Sequence, residues 1–296
     1  MIIFNDIITV ENYKIYIKNI KEGIKMEIKF LNILLITMII LFLYNYYQIN
    51  FPKVNFVSIK TNKIDKNTKI KILQLTDIHN KKFPNNNKNL LKKIKDAHAD
   101  IIVITGDLID SKTKNFEYIY SFIKELLKIN KNIYYVSGNH EWRSGKFYEI
   151  SKQLSKMKVK VLNNTSSSFV KNGTSINICG IDDSYSNRDN LDKILNNINK
   201  NIFTLLLSHS PNVIKHKNIK MVDLILCGHT HGGQVRFPII GCIIIPGQGL
   251  FPKYDKGIFK INNNTTLYID SGLGTSSLPI RFLNRSQLSL IIIEGK

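Results

Sequence analysis

The sequence predicts an α/β domain with two sheets, preceded by a membrane-spanning helix, and three observations carry that class. From Lys69 onward, short apolar runs alternate with amphipathic stretches in a β-α-β-α-β succession. After Lys158 the pattern turns β-rich, which asks for a second sheet. Ahead of both, Phe30 to Tyr47 runs without a single charge. A chain of 296 residues with 43% hydrophobic content has room for one large domain or two small ones, and it excludes a disordered tail protein.

The uncharged run FLNILLITMIILFLYNYY spans about 18 residues, about 27 Å as a helix, enough to cross a bilayer's hydrocarbon core. Tyr44, Tyr46 and Tyr47 crowd one end, where amphipathic rings favour the headgroup level. A buried core helix is one alternative and a cleavable signal peptide another. The run is long for a signal sequence, however, and no A-x-A-like site follows it. A retained anchor is therefore expected over 30–47, after an N-terminal segment (1–29) with no assignable role. Lys14, Lys18, Lys21, Lys25 and Lys29 precede the run, against Lys53, Lys60 and Lys63 after it. That bias favours an inside N-terminus and an extracytoplasmic domain in a single-pass arrangement at the cell membrane. Met26 would serve as an alternative start to Met1, and it would leave only Lys29 and the terminal amine on the near side.

Residues 48–68 read as a linker with a leading edge strand, VNFVSIK, and a turn at Asp65 to Asn67. The main domain is expected over 69–296. Within it KIKILQLTD reads as strand, Asn87 to Ala97 as helix, DIIVITGD as strand, FEYIYSFIKELLKI as helix and NIYYVSGN as strand. Continuous Ile/Val/Leu runs of this kind belong to strands covered on both faces, and ligands gather at the carboxyl ends of such strands. VKVLNN, SSFVKN and SINICGID follow, then a helix near Leu191 to Ile198, FTLLLSH, VDLILCGH and several β-rich pieces. No fixed-period repeat occurs, and no linker splits the region after Lys69.

Charge and cysteines bound the chemistry. Forty-two Lys+Arg against 22 Asp+Glu give +20, which favours phosphates, acidic headgroups or nucleic acid without choosing among them. The chain is also crowded with lysine, isoleucine and asparagine throughout, so the excess by itself does not mark a dedicated binding surface. Three cysteines, none in a CxxC pair, exclude a disulfide-dense scaffold and a zinc ribbon.

Five loops, each directly after an apolar strand, hold the reactive residue types: Asp77-Ile78-His79, Gly106-Asp107-Leu108-Ile109-Asp110, Gly138-Asn139-His140-Glu141, Ser208-His209-Ser210-Pro211 and Gly228-His229-Thr230-His231-Gly232-Gly233. Aspartate, asparagine and histidine together suit divalent metals such as Mn, Fe or Zn, without the thiolates of a structural zinc site. Glycine before Asp107, Asn139 and His229 permits unusual backbone angles and close approach. Taken singly, the first two loops also suit plain strand-end turns, and His209 a satisfied core histidine. Two imidazoles among three glycines after VDLILC make poor packing material. His98 and His216 lie in Lys-rich, helix-like surroundings and read as solvated.

The ordered set D-x-H, G-D-x-x-D, G-N-H-E, H and G-H-T-H resembles the signature of the calcineurin-like metallophosphoesterases, from about Lys69 to Ile293. DIHNKKF, GHTHGGQVRFP and DSGLGTSSLPIRF are similar to a bacterial, often membrane-anchored group of phosphoesterases or phosphodiesterases within it. Pro84 replaces that group's common glycine, and Arg285-Ser286-Gln287 a frequent proline-acid pair; neither change falls on an implied ligand.

The resemblance implies a four-layer αββα sandwich of two mixed sheets and two bound divalent cations. Asp77, His79, Asp107 and His231 would hold one, and Asp107, Asn139, His209 and His229 the other, with Asp107 bridging. It implies a phosphoric ester hydrolase, a phosphodiesterase or phosphomonoesterase, in which a metal-bridging hydroxide attacks phosphorus in line. His140 would protonate the leaving oxygen or stabilise the transition state. Asp110 and Glu141 would fix histidine tautomers or be ordinary loop carboxylates. Arg143 and Arg281 are the best-placed cations for a substrate phosphate, with surface salt bridges as the alternative role. The partners expected are a phosphate ester, lipid-linked or from the cell envelope, and membrane lipid around the helix. A non-catalytic scaffold would be expected to lack ligand types, and all of them are present. A nuclease would want a basic, aromatic-interleaved groove, and no dedicated nucleic-acid site is evident.

Overall fold

A long helix, α1 (Val10–Asn50), leads the chain, and its stretch Asn12–Asn50 is long and apolar enough to cross a membrane. It is already formed well before Phe30. Residues 10–29 contain no proline, and Lys14, Lys18, Lys21, Lys25 and Lys29 recur at three- and four-residue steps along one face, with Lys25 paired to Glu22 at 3.6 Å. The computed structural model describes residues 10–245, 248–276 and 278–296, so Met1 and Ser277 of the DSGLGTSSLPIRF segment lie outside the described residues. The chain divides into two units, Met1–Tyr46 and Tyr47–Lys296.

Two six-stranded sheets build the second unit. The first takes β1 (Lys53–Thr61), β2 (Lys69–Leu75), β3 (Ile101–Thr105), β4 (Ile133–Val136), β5 (Lys160–Val161) and the C-terminal β16 (Gln287–Gly295), in the order β1-β16-β2-β3-β4-β5. The other takes β6 (Thr165–Lys171), β7 (Thr174–Gly180), β8 (Phe203–Leu207), β9 (Leu224–Cys227), β14 (Gly257–Lys260) and β15 (Thr266–Ile269), in the order β14-β15-β9-β8-β7-β6. Each is mixed: β2 to β5 run parallel and β16 antiparallel to β2, while β7, β8, β9 and β15 run parallel between antiparallel β6 and β14.

Side-chain alternation sets the layers. Ile101 and Val103 of β3 face one way and Ile102 and Ile104 the other; in β8, Leu205 and Leu207 oppose Leu206. One set from each sheet meets in a shared core between the sheets, with Ile70, Val103, Leu205 and Leu226 among its members. The outer face of the first sheet packs on α2 (Lys88–Asp96), α3 (Glu117–Ile129) and α5 (Phe147–Lys156) through Leu90, Phe122 and Ile150. The outer face of the second packs on α6 (Leu191–Leu195) and neighbouring turns through Leu191 and Val213. Three cores separate four layers, the αββα sandwich expected.

Two helices appear where the sequence reading assigned none. The short α4 (Asn139–Arg143) starts inside the G-N-H-E loop, and α5 buries Phe147, Ile150 and Leu154, a three-then-four spacing. Of the β-rich pieces after Gln234, those between Arg236 and Leu250 extend neither sheet. They form two two-residue ribbons, β10 (Arg236–Phe237) with β11 (Gly241–Cys242), and β12 (Ile244–Ile245) with β13 (Gly249–Leu250).

Candidate metal centre

All five loops leave the carboxyl ends of parallel strands, β2, β3 and β4 from one sheet and β8 and β9 from the other, so the sandwich points them at one pocket. The turns are tight. Asp77, His79, Asp107, His229 and His231 hold φ of 50°, 51°, 49°, 71° and 50°, a left-handed conformation that side chains rarely adopt. Gly106 needs its freedom, with φ 85°, and a Cβ there would stand 2.6 Å from His209 Nδ1. Gly138 and Gly228 have no such angle. A Cβ at either would collide with a carboxylate, Asp107 at the first and Asp77 at the second, so close approach is their reason.

The seven candidate ligand side chains come together. His79 Nε2 lies 3.1 Å from His231 Nε2, and His231 Nε2 3.4 Å from Asp77 Oδ1. Beside them, His209 Nε2 lies 3.2 Å from Asp107 Oδ2, 3.1 Å from Asn139 Oδ1 and 3.1 Å from His229 Nδ1. Asp107 links the two groups, its Oδ2 also 3.7 Å from His79 Nε2.

The protonation pattern fits cations there. His209 Nδ1 sits 2.9 Å from the carbonyl oxygen of Thr105, which can only accept, so Nδ1 keeps a proton and Nε2 is the nitrogen that, once deprotonated, offers a lone pair inward. Two ring nitrogens facing at 3.1 Å, as in His79 and His231, cannot both carry a proton and, unprotonated, repel unless a cation lies between. Burial pushes His79 down to about 4 and His229 down to about 3, so both rings are neutral donors at pH 7. Burial also lifts Asp77 to about 7. It opposes charge on His209 too, but the adjacent Asp107 carboxylate outweighs it and carries His209 up to about 10. For Asp107 the same balance runs the other way: burial raises it, and the His209 charge and hydrogen bond hold it well below the usual range.

His140 stands at the edge of this floor, Nε2 3.9 Å from Asp107 Oδ2. The backbone N–H of Ser111 donates to its Nδ1 at 3.0 Å, which leaves Nε2 as the protonated nitrogen facing the pocket. Ser111 therefore sets this tautomer. Asp110 Oδ2 lies 3.5 Å from Nδ1, and Asp110 Oδ1 accepts from Lys112 N instead. Among the described residues Glu141 makes no hydrogen bond to a histidine. Its carboxylate accepts from the backbone N–H groups of Asp107, Leu108, Ile109 and Gly138 at 2.6 to 3.2 Å, tying two ligand loops together. Burial, with the Asp107 charge beside it, raises it to about 7.

Arg281 corrects the expectation of a substrate-facing cation. It is fully buried, and its guanidinium donates to the carbonyls of Ser271, Gly272, Gly274 and Asn284, a loop whose Gly274 N–H bonds the Asp77 carbonyl at 2.6 Å. Arg143 does line the pocket, 5.7 Å over the Tyr185 ring, which in turn lies 4.8 Å from His229. Tyr185 was not anticipated, although G-I-D-D-S-Y is a further polar loop after an apolar strand. His216 is half-buried and 2.5 Å from Asp189 Oδ2, not solvated.

The sequence profile of the calcineurin-like phosphoesterases matches residues 70–233, which hold every one of the seven side chains. This chain belongs to that family. An uncharacterized metallophosphoesterase of Helicobacter pylori strain J99 is 32% identical over 83% of this chain and 65% of its own length, so the chain spans about two thirds of that relative. One from Aquifex aeolicus is 31% identical over 86% of this chain and 96% of its own length. Among solved structures, the NAD nucleotidase NadN of Haemophilus influenzae aligns with 70% of this chain and 45% of its own, at a TM-score of 0.46 and 17% identity. Family and pocket agree on a metal-dependent phosphoesterase.

Proposed function

We propose that the chain is a membrane-anchored hydrolase of phosphoric esters that works with two divalent cations, Mn, Fe or Zn. The convergence of two nitrogen-rich groups on one shared carboxylate, Asp107, carries this reading. Asp77, His79, Asp107 and His231 would hold one cation, and Asp107, Asn139, His209 and His229 the other. When bound, such a pair supplies Lewis acidity to the phosphoryl oxygens and activates water near neutral pH.

The chain's own residues do the rest. Arg143 and Tyr185 on one wall orient the phosphate, and Nε2–H of His140 aims at the leaving oxygen. In hydrolysis, the water oxygen forms a bond to phosphorus and the bond to the leaving oxygen breaks, its electron pair staying on oxygen. That oxygen, held by the hydrogen bond that neutral His140 donates from Nε2–H, takes up the proton that the attacking water gives up, and His140 ends the step as it began. Glu141 keeps the loops of Asp107 and Asn139 in register, so neither ligand must reorganise.

Lysines enriched before the apolar run suggest a phosphoesterase unit on the outer face of the cell membrane, which reporter fusions at each end would test. The decisive experiment is hydrolysis of bis(p-nitrophenyl) phosphate and p-nitrophenyl phosphate by the full-length protein, metal-stripped and reloaded with Mn, Fe or Zn. Metal-dependent turnover is expected, faster on the diester. Asp107→Asn should abolish metal loading and rate together, whereas His140→Ala should keep the metal and lose roughly 100-fold in rate. Metal and rate surviving both substitutions would overturn the assignment.

A further inference from the structure

The family match stops at residue 233, and the segment beyond it has an unusual surface. Phe237, Ile239, Ile240, Ile244, Leu250 and Phe251 are all exposed, Ile239 completely, in and beside the two small ribbons. Leu278, Ile280 and Leu283, from the neighbouring loop, are exposed beside them, with Val235 bridged to Phe282. Contiguous apolar exposure on this scale marks a binding face, because single exposed side chains are ordinary but clusters are not.

This apron is built rather than frayed. Arg236 Nη1 donates to Asp255 Oδ2 at 2.6 Å and to the Gly232 carbonyl at 3.1 Å, and Thr230 Oγ1 donates to the Asp255 carbonyl at 2.6 Å. Cys242 fills the space that a side chain on Gly233 would need, two residues after His231. The apron therefore springs directly from a candidate ligand loop. Its residues continue into the pocket of about 520 Å³ over that floor: Asp107, His140 and His229 line the bottom, and Phe237, Ile244 and Leu278 one wall. Such a cavity is polar where phosphorus would sit and apolar where it opens.

An acyl chain fits that wall better than a sugar or a base would, and two features favour a bilayer over a protein partner. The same chain carries a helix long and apolar enough to cross a membrane. Within the second unit, its first residues rest on the segment that supports the apron. Arg285 lies 4.4 Å over the Tyr47 ring and Ser286 N donates to the Gln48 carbonyl at 2.8 Å; three residues earlier, Phe282 accepts from Arg236 N at 3.0 Å and its ring lies 6.4 Å from Phe237. The point where the chain enters this unit and the apolar apron thus share one support. Tyrosine and arginine at that point are the residue types that settle at a headgroup layer.

We propose that the apron dips into a bilayer surface and that the pocket takes the phosphate ester of a membrane lipid, acyl chains along Phe237, Ile244 and Leu278 and phosphorus over the Asp/His floor. The proposal rests on the phosphoesterase reading and narrows its substrate class.

The test uses the full chain in vesicles of phosphatidylethanolamine and phosphatidylglycerol carrying phosphatidic acid. Because Cys179, Cys227 and Cys242 are buried, a cysteine introduced by Ile240→Cys can be labelled selectively with an environment-sensitive fluorophore. Lipids with bromine on their acyl chains should quench that label at least twofold. A label from Val170→Cys, on the exposed edge strand β6 of the second sheet, should be unaffected. The double variant Ile239→Asp/Leu250→Asp changes neither pocket wall nor floor. Bis(p-nitrophenyl) phosphate turnover and metal content should stay within twofold, while release of phosphate or headgroup from the vesicles should fall at least tenfold. An unquenched label at 240, or unchanged vesicle hydrolysis in the double variant, overturns the proposal. Dimers held by the apron, lost in the double variant, would also overturn it in favour of a second copy. Failure of the phosphoesterase reading looks different: the parent would bind no metal and cleave neither substrate, whatever the label reports.

Discussion

The two halves of the metal floor are built from the same residue types but held differently. In the half with Asp107, Asn139, His209 and His229, the central ring is fixed from behind by the Thr105 carbonyl at 2.9 Å. In the half with Asp77, His79 and His231, the Nδ1 atoms of both histidines are buried without a hydrogen-bond partner among the described residues. A ring oriented by a carbonyl presents its lone pair without reorganising, whereas an unfixed ring must be ordered by the cation itself. On the two-cation reading proposed above, one site would thus be preorganised and the other completed by its occupant.

The sharpest way to break that comparison is His209→Gln. It should remove about one equivalent of metal and lower turnover on the order of a hundredfold or more, while His79→Gln should leave the other half loaded. Metal analysis by mass spectrometry beside the rate assay separates the two. Loss of both equivalents from either variant would show that the halves do not act separately.

Proton coupling should distinguish them next. With His209 raised to about 10, its ring is protonated in the metal-free protein at pH 7, and a cation there must displace that proton. In the other half His79, at about 4, is already neutral and releases none, and Asp77, raised to about 7, gives up about half a proton at pH 7. Affinity at the His209 half should therefore rise about tenfold per pH unit below about 10 and weaken as pH falls. Calorimetry in buffers of different ionisation heat should find about one proton released for that cation. The same shift bears on the metal-free fold. Since the folded pKa lies above the ordinary 6.5, the stabilisation is fully present below about 6.5 and is lost as pH climbs through about 10, visible as a falling unfolding temperature.

Chelator titration gives a smaller effect. The half without backing should release its cation first, at roughly tenfold lower chelator concentration. Smallest is Asn284→Ala. Its Nδ2 donates to the His231 carbonyl at 2.7 Å, so the substitution should cost about 1 kcal/mol in stability and loosen only the His79 half, with the His209 half unchanged within twofold.

Much of this architecture is legible in the order of the residues. Near-continuous apolar runs such as Ile101 to Thr105 and Phe203 to Leu207 announce strands buried on both faces, and the polar loops after them announce a ligand edge. α5 is legible too, since Phe147, Ile150 and Leu154 carry helical spacing, but the neighbouring glycine and charges mask it. Glu141 and Arg281 are not. A carboxylate that gathers four backbone N–H groups and a guanidinium that gathers four carbonyls look, in one dimension, like a histidine's acceptor and a phosphate's clamp. Ile239, Ile240 and Ile244 belong to one of the β-rich pieces toward the end of the chain, yet they lie exposed and outside both six-stranded sheets.

By itself the sequence determined which residue types end which strands, and hence the family and the candidate ligand set, because strand period and ligand chemistry are local properties. Tertiary structure alone decided which nitrogen of each ring faces inward, that Arg281 is a buried clamp, and that an apolar apron opens the pocket. Those depend on atoms brought together across the chain, Asp77 and His229 from 152 residues apart, and no local pattern encodes the orientation in which such atoms meet.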